Sequence, residues 1–256
     1  YLARQMTEKL WRLNGEPIIF SDRDKLMNGQ HRLSAVVVSG VTTTFPVVRG
    51  VASGTFTTMD QNRVRSAGQV LGMRGEKHGF LLAAVSRKLY CWQHEGHLGG
   101  KMKISPDELN RVVNRHPELR ASVEVARQVQ TQVPVDGSMV AFCHWLFRQA
   151  SAKKAEQFFE TLESGVAQSK NDPAIVLRNR FFKERESRRR WGGTELRAIF
   201  VRAWNYYARG ETVAKLAIKP DKDGTSQVPS IYGLGAKQGG KGSLAVHKSR
   251  GEPPAG

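Results

Sequence analysis

One short polar cluster in this 256-residue chain has the residue types and spacing for phosphate chemistry, and a second is rich in polar and basic residues. The first, Asn28-Gly29-Gln30-His31-Arg32, follows the apolar pair Leu26-Met27 and runs into a helical pattern from His31 to Ser39, closed by Gly40. Gly29 permits a turn at positive φ and a close backbone approach. The N–H groups that follow point outward at the positive end of a helix dipole. Arg32 adds a rigid fork of donors in the first turn. Such a helix start is an anion site, with phosphate as the natural anion. The same residues also suit a capped helix whose Arg32 makes a structural salt bridge. The second cluster, Asp60 to Arg65, carries one acid, one asparagine and two arginines, and it equally suits an N-capped helix entry with solvated arginines.

The flanking sequence supplies elements to hold the first cluster. Leu2, Met6, Leu10 and Leu13 share one helical face, and Asn14-Gly15 stops that helix. Ile18-Ile19-Phe20 reads as a short buried strand that turns through Ser21 to Lys25 and pairs with Leu26-Met27 as a hairpin. Val36-Val37-Val38 has strand propensity yet continues the helix from Arg32, and Thr42 to Arg49 returns as a strand. The expected class is α+β, with a small mixed sheet and helices followed by an all-helical C-terminal domain.

Asn-Gly-Gln-His-Arg-Leu-Ser-Ala resembles the G-x-x-R-x-x-A box of the ParB/sulfiredoxin fold and the DGQHR box of DndB-type proteins. Asn14 to Phe20 is similar to the strand that opens ParB domains, Phe45 to Arg49 fits the next strand, and Met59 to Arg63 falls where that family carries its E-N-x-x-R helix. The resemblance covers about residues 10 to 75, and beyond that the chain is more loosely similar to phage and actinobacterial ParB-like proteins. It implies a nucleoside triphosphate, CTP or ATP, over Gly29, Gln30, His31 and Arg32, with Arg63 as a further phosphate clamp. It also implies Mg²⁺ on Asp60, although Asp-Gln-Asn in place of Glu-Asn leaves the register open by one residue. In sulfiredoxins the box reads G-C-H-R; Gln30 replaces that reactive cysteine, so sulfiredoxin activity is not expected.

Composition bounds the rest. A hydrophobic content of 39% with 11 Phe, 5 Trp and 5 Tyr is enough for a real core. Forty basic against 23 acidic residues give +17, which attracts polyanions and makes DNA the favoured partner. No run of 18 apolar residues is present, and no basic stretch has a continuous apolar face, so a membrane partner is not expected. Two cysteines, Cys91 and Cys143, fit a reducing compartment such as the cytoplasm, and the resemblance implies that of a bacterial or phage-infected cell. The chain opens on Tyr1 rather than Met, which raises the expectation of a longer natural N-terminus.

Helices are expected over Ser66 to Met73 and Phe80 to Trp92. Cys91, His94 and His97 are spaced by three, but no fourth ligand accompanies them, so a buried Cys91 and exposed histidines are expected rather than zinc. Ser105-Pro106-Asp107-Glu108 is a capping box, and Asp172-Pro173 repeats the device ahead of Ile175 to Lys183. Ser138 to Arg148 and Ala152 to Glu163 read as further helices, and Leu196, Phe200, Ala203, Trp204 and Tyr207 form an apolar stripe that reads as core. Arg178, Arg180, Lys183, Arg185, Arg188, Arg189, Arg190, Arg197, Arg202 and Arg209 face few acids, a density suited to sequence-blind phosphate-backbone contact. Ile231 to Leu234 is expected to pack back before a flexible Gly- and Lys-rich tail.

Three domains are therefore expected: residues 1–75 for nucleotide binding, 76–218 helical and basic, and 219–256 as tail. The expected activity is NTP binding at DNA with hydrolysis or phosphoryl transfer, His31 acting as general base and Asp60 holding the metal. A non-catalytic DNA-binding regulator is the alternative, and a ParB-like nuclease ranks last because no clustered carboxylates are visible. A homodimer is compatible with all three.

Overall fold

The computed structural model describes residues 1–53, 66–98, 102–188, 191–217 and 228–234. The protein is α+β and mostly helical: ten helices and one three-stranded mixed sheet lie among the described residues. Two compact units form, Tyr1–Ser66 with Lys103–Glu108, and the remainder.

In the first unit, α1 (Leu2–Thr7) precedes β1 (Ile18–Ser21), β2 (Leu26–Asn28), α2 (Gln30–Ser39) and β3 (Val47–Val51). The hairpin expected from the sequence is present. β2 runs antiparallel to β1, with Ile19 opposite Asn28 and Phe20 opposite Leu26. The buried Ser21 organises its turn, its hydroxyl accepting from the N–H groups of Arg23 and Lys25, both at 3.1 Å. β3 joins the other edge of β1 in parallel, so α2 is the crossover that returns the chain. Met6 of α1 and Ala35 of α2 are buried where these two helices pack.

The first helix is shorter than its apolar spacing predicts. It ends at Thr7, and the N–H groups of Leu10 and Trp11 both turn back to Gln5 O at 2.8 and 3.1 Å. Trp11 is thereby brought against Phe45, with ring centroids 5.5 Å apart. Tertiary packing of one aromatic wins over continuation of a marginal helix.

Lys103–Glu108 belongs to the first unit through a buried carboxylate. Ser105 and Glu108 form the expected reciprocal capping box, Ser105 N–H donating to Glu108 Oε2 at 2.7 Å and Glu108 N–H to Ser105 Oγ at 3.1 Å. Arg4 Nε donates to the other Glu108 oxygen at 2.7 Å. Burial by itself would raise the Glu108 pKa, but the donors from Ser105 and Arg4 outweigh it and hold the carboxyl below its ordinary range.

The second unit is helical: α3 (Ala67–Met73), α4 (Gly79–Glu95), the body of α5 (Pro106–Arg115), α6 (Leu119–Gln132), α7 (Gly137–Ala150), α8 (Ala152–Ser164), α9 (Pro173–Glu186) and α10 (Gly193–Arg209). The division falls at Ser66 rather than 75 because α3 packs on α4. A Cβ on Gly68 would lie 2.8 Å from Phe80 Cα, and one on Gly79 would lie 2.5 Å from Gly68 O, so only paired glycines allow this approach. α7 is buried from Gly137 through Phe147 and is surrounded by α4, α6, α8 and α10. Phe147 stacks on Trp204 at 4.7 Å, and Phe158, Phe159 and Phe200 complete the cluster. The expected α10 stripe is core: Leu196, Phe200, Ala203 and Trp204 are buried. The segment 228–234 packs back as expected, Trp204 Nε1 donating to Tyr232 O and Tyr232 N–H to Asn205 Oδ1 at 2.8 Å.

Polar groups also lie in this core, Ser86, Ser122 and His144 among them. His144 of α7 is fully buried, its Nδ1 2.9 Å from Ser122 Oγ and its Nε2 3.3 Å from Glu156 Oε2. Burial lowers its pKa, partly opposed by Glu156.

Two outcomes are expected. Glu108→Ala leaves Arg4 without its buried partner and uncaps α5, costing about 3 kcal/mol in urea unfolding. Because the folded His144 pKa lies below its unfolded value, the unfolded state takes up more protons as pH falls through the ordinary histidine range. Stability therefore drops as pH falls below the ordinary histidine pKa of about 6.5, and His144→Phe flattens that part of the urea-midpoint profile.

Candidate phosphate site and basic surface

β2 delivers the chain to Gly29, whose φ of 104° makes the sharp turn into α2. Gly29 is buried against β1, and a Cβ there would come within 2.4 Å of Ile18 Cδ1. Glycine is thus required twice, for backbone conformation and for packing on Ile18. The amino end of α2 carries no side-chain cap, while its first-turn acceptor is Gly29 O, which takes Arg32 N–H at 2.9 Å and Leu33 N–H at 3.0 Å. Gln30 and His31 are exposed in that first turn.

Arg32 is half-buried and oriented by the protein itself. Its Nη1 donates to Glu16 O at 2.6 Å and its Nη2 to Asn28 Oδ1 at 3.1 Å. These bonds tie the segment before β1 to the end of β2 and hold the guanidinium beside the turn. A guanidinium has five N–H donors, so those not used on Glu16 and Asn28 remain for a ligand. Donors converge here without a carboxylate from the turn, which is chemistry for an anion and not for a cation. Asp60 and Arg63 lie outside the described residues.

The late arginines divide by allegiance. Arg178 Nη1 donates to Leu162 O and Glu163 O, both at 2.7 Å, capping the carboxyl end of α8, and the group sits 5.3 Å over the Phe182 ring. Arg180 donates to Leu216 O, pairs with Glu184 at 3.4 Å and covers Trp191 at 5.5 Å. Both guanidinium groups are committed to packing. Arg185 and Arg188 are exposed at the end of α9, and Arg189 and Arg190 lie outside the described residues. The Arg180–Glu184 pair was open to sequence reading as an i, i+4 neighbour; the Arg178 contact, made across helices, had no sequence signal.

Two other arrangements have catalytic or metal-like outlines. Ser122, His144 and Glu156 align as hydroxyl, imidazole and carboxylate, but Ser122 and His144 are fully buried, so no substrate reaches the hydroxyl. Cys91 is buried while His94 and His97 are exposed, as expected, with His94 Nδ1 2.8 Å from Tyr90 O. No group of three His, Cys, Asp or Glu placed to hold a metal occurs among the described residues. Nor is any described helix long and apolar enough to cross a membrane.

No protein-family model, curated protein or solved structure matches this chain.

Gly29→Ala forces both a strained φ and a clash with Ile18, and is expected to cost about 3 kcal/mol by chemical denaturation. Gln30→Ala, exposed in the same turn, is expected to change stability by less than about 0.5 kcal/mol.

Proposed function

We propose that the Gly29–Arg32 turn binds the phosphates of a nucleoside triphosphate, CTP or ATP, in a ParB/sulfiredoxin-like unit, and that the chain acts at DNA. The observation that carries this reading is Arg32, fixed beside the open amino end of α2 by Glu16 O and Asn28 while keeping N–H donors to spare. Gly29 sets the turn, backbone N–H groups at the start of α2 receive phosphate oxygens, and Gln30 and His31 add exposed side-chain donors. Mg²⁺ would supply charge neutralisation between phosphates, with Asp60 as its carboxylate and Arg63 as a second clamp. If turnover follows binding, His31 would serve as the general base, taking a proton either from water or from an acceptor hydroxyl. DNA contact rests on the net charge of +17 and on the exposed Arg185 and Arg188 at the end of α9.

A second reading has support of its own. The two bonds of Arg32 to Glu16 and Asn28 close the sheet without any ligand, which suits a non-catalytic DNA-binding regulator that keeps the box for its fold.

The test is calorimetric titration of ATP, CTP, GTP and UTP with Mg²⁺, with and without duplex DNA, on the wild type, Arg32→Lys and Arg32→Ala. The expected result is one preferred nucleotide whose affinity falls about tenfold or more in Arg32→Lys, where charge stays but the fork is lost. Melting curves show whether each variant is folded. DNA binding without nucleotide binding under any condition selects the regulator.

A further inference from the structure

Resting on the reading that the chain acts at DNA, we propose that the solvent face of α9 around Phe182 binds single-stranded DNA. A base stacks on the Phe182 ring, and Lys183, Arg185 and Arg188 meet the phosphates. The face lies wholly within the helical unit and shares no residue with the phosphate turn.

Phe182 stands outside the packing of its own helix. α9 buries Ala174, Leu177 and Phe181, whereas Phe182 is 37% exposed. Its ring is held all the same. Arg178, one turn earlier, places its guanidinium 5.3 Å over that ring. The same guanidinium is pinned to Leu162 O and Glu163 O at the end of α8, both at 2.7 Å. A Cβ on Gly165 would lie 3.0 Å from Arg178 Nε, so the turn after α8 closes round the arginine. The phenyl ring is thus backed by a fixed cation and still reaches solvent. A ring held in place before binding loses little freedom when a base stacks on it.

Charge surrounds the ring. Helical spacing puts Asn179 and Arg185, three residues to either side, on the face of Phe182, with Lys183 next to it, and all three are exposed. Arg188, also exposed, follows just beyond the cap at Ser187. Of the acids in this stretch, Glu184 is taken by Arg180 at 3.4 Å, and Glu186 is exposed on the same face. Three exposed cations against one exposed acid leave a basic surface around an aromatic. The backbone at Arg188 agrees. Its φ is 55°, and its N–H donates to Arg185 O at 3.0 Å. Glycine is the usual occupant of a left-handed position past a helix end. An arginine is kept there against that preference, at the edge of the basic face.

A single strand fits this face better than a duplex. Bases within a duplex are stacked on both sides, so an aromatic on a convex helix face meets only the sugar-phosphate backbone. An unpaired base offers a free ring face, and aromatics combined with cations are what hold single strands without regard to sequence. The three cations supply the backbone contact.

Fluorescence anisotropy of a labelled oligothymidylate and of a duplex of equal length, each titrated with the full chain, tests the assignment. The single strand is expected to bind about tenfold more tightly than the duplex. Phe182→Leu is expected to weaken the single strand about tenfold and leave the duplex unchanged, and Phe182→Tyr, which keeps a ring, retains the wild-type affinity. Arg188→Gly is expected to weaken single-strand binding and lower its salt slope by about 0.7, while its melting temperature stays at or above that of the wild type. Photocrosslinking of the wild-type chain to a strand carrying 5-iodouracil gives a reading independent of any variant, with the adduct expected on the peptide that contains Phe182. Duplex binding as tight as single-strand binding, an unaltered single-strand affinity in Phe182→Leu, or an adduct mapped away from α9 overturns the proposal and leaves action at DNA standing. Absence of binding to either form overturns both.

Discussion

The helical unit is governed by α7, a helix with no polar face. Its sequence from Gly137 to Phe147 is buried throughout, so it is stable only when other helices cover it on every side. Each large side chain it buries contributes about 1.5–3 kcal/mol, and Phe142, Trp145, Leu146 and Phe147 need partners from α4, α6, α8 and α10 together. The polar atoms carried inside must then be satisfied there. His144 is met by Ser122 and Glu156, and Trp145 Nε1 donates to Glu118 at 2.8 Å. Cys143 is handled differently: burial pushes its thiol up and leaves it a small apolar side chain.

The sheet unit is held by other means. Its buried apolar residues are few, chiefly Met6, Ile18 and Ala35, and directed bonds supply what a large core would otherwise give. Ser21 closes the hairpin, Arg4 and Ser105 enclose Glu108, and Arg32 joins Glu16 to Asn28. The turn proposed as a phosphate site is therefore also a joint of the fold. Ligand binding there would be linked to stability of the sheet, and variants at Gly29 or Arg32 are expected to move both.

Charge is distributed with more discrimination than its total suggests. Arg178 and Arg180 are spent on helix-end carbonyls, aromatic faces and a glutamate, so they support packing. Arg185 and Arg188 at the end of α9 remain turned to solvent. Near the opposite end of the same helix, Asp172 caps the first turn, while Arg178 and Lys154 sit on the carbonyls that end α8 and α10. Part of the +17 is thus consumed inside the fold, and part is turned outward.

What the sequence determined by itself was local. The hairpin, the Gly29 turn into α2, the Ser105 and Asp172 caps and the α10 stripe were all legible, because each depends on residues within about one helical turn or one hairpin of each other. The tertiary structure decided the rest. Helix α1 stops at Thr7 because Trp11 finds Phe45, and β3 lies beside β1 because α2 carries the chain across. Arg178 serves the end of α8 because a carboxyl end of another helix lies within its reach. A cleft at Tyr207 is lined from α8, α9 and α10, segments distant from one another in sequence. Short-range preferences are written in spacing, whereas burial and the choice of partner follow from which distant segments exclude water together.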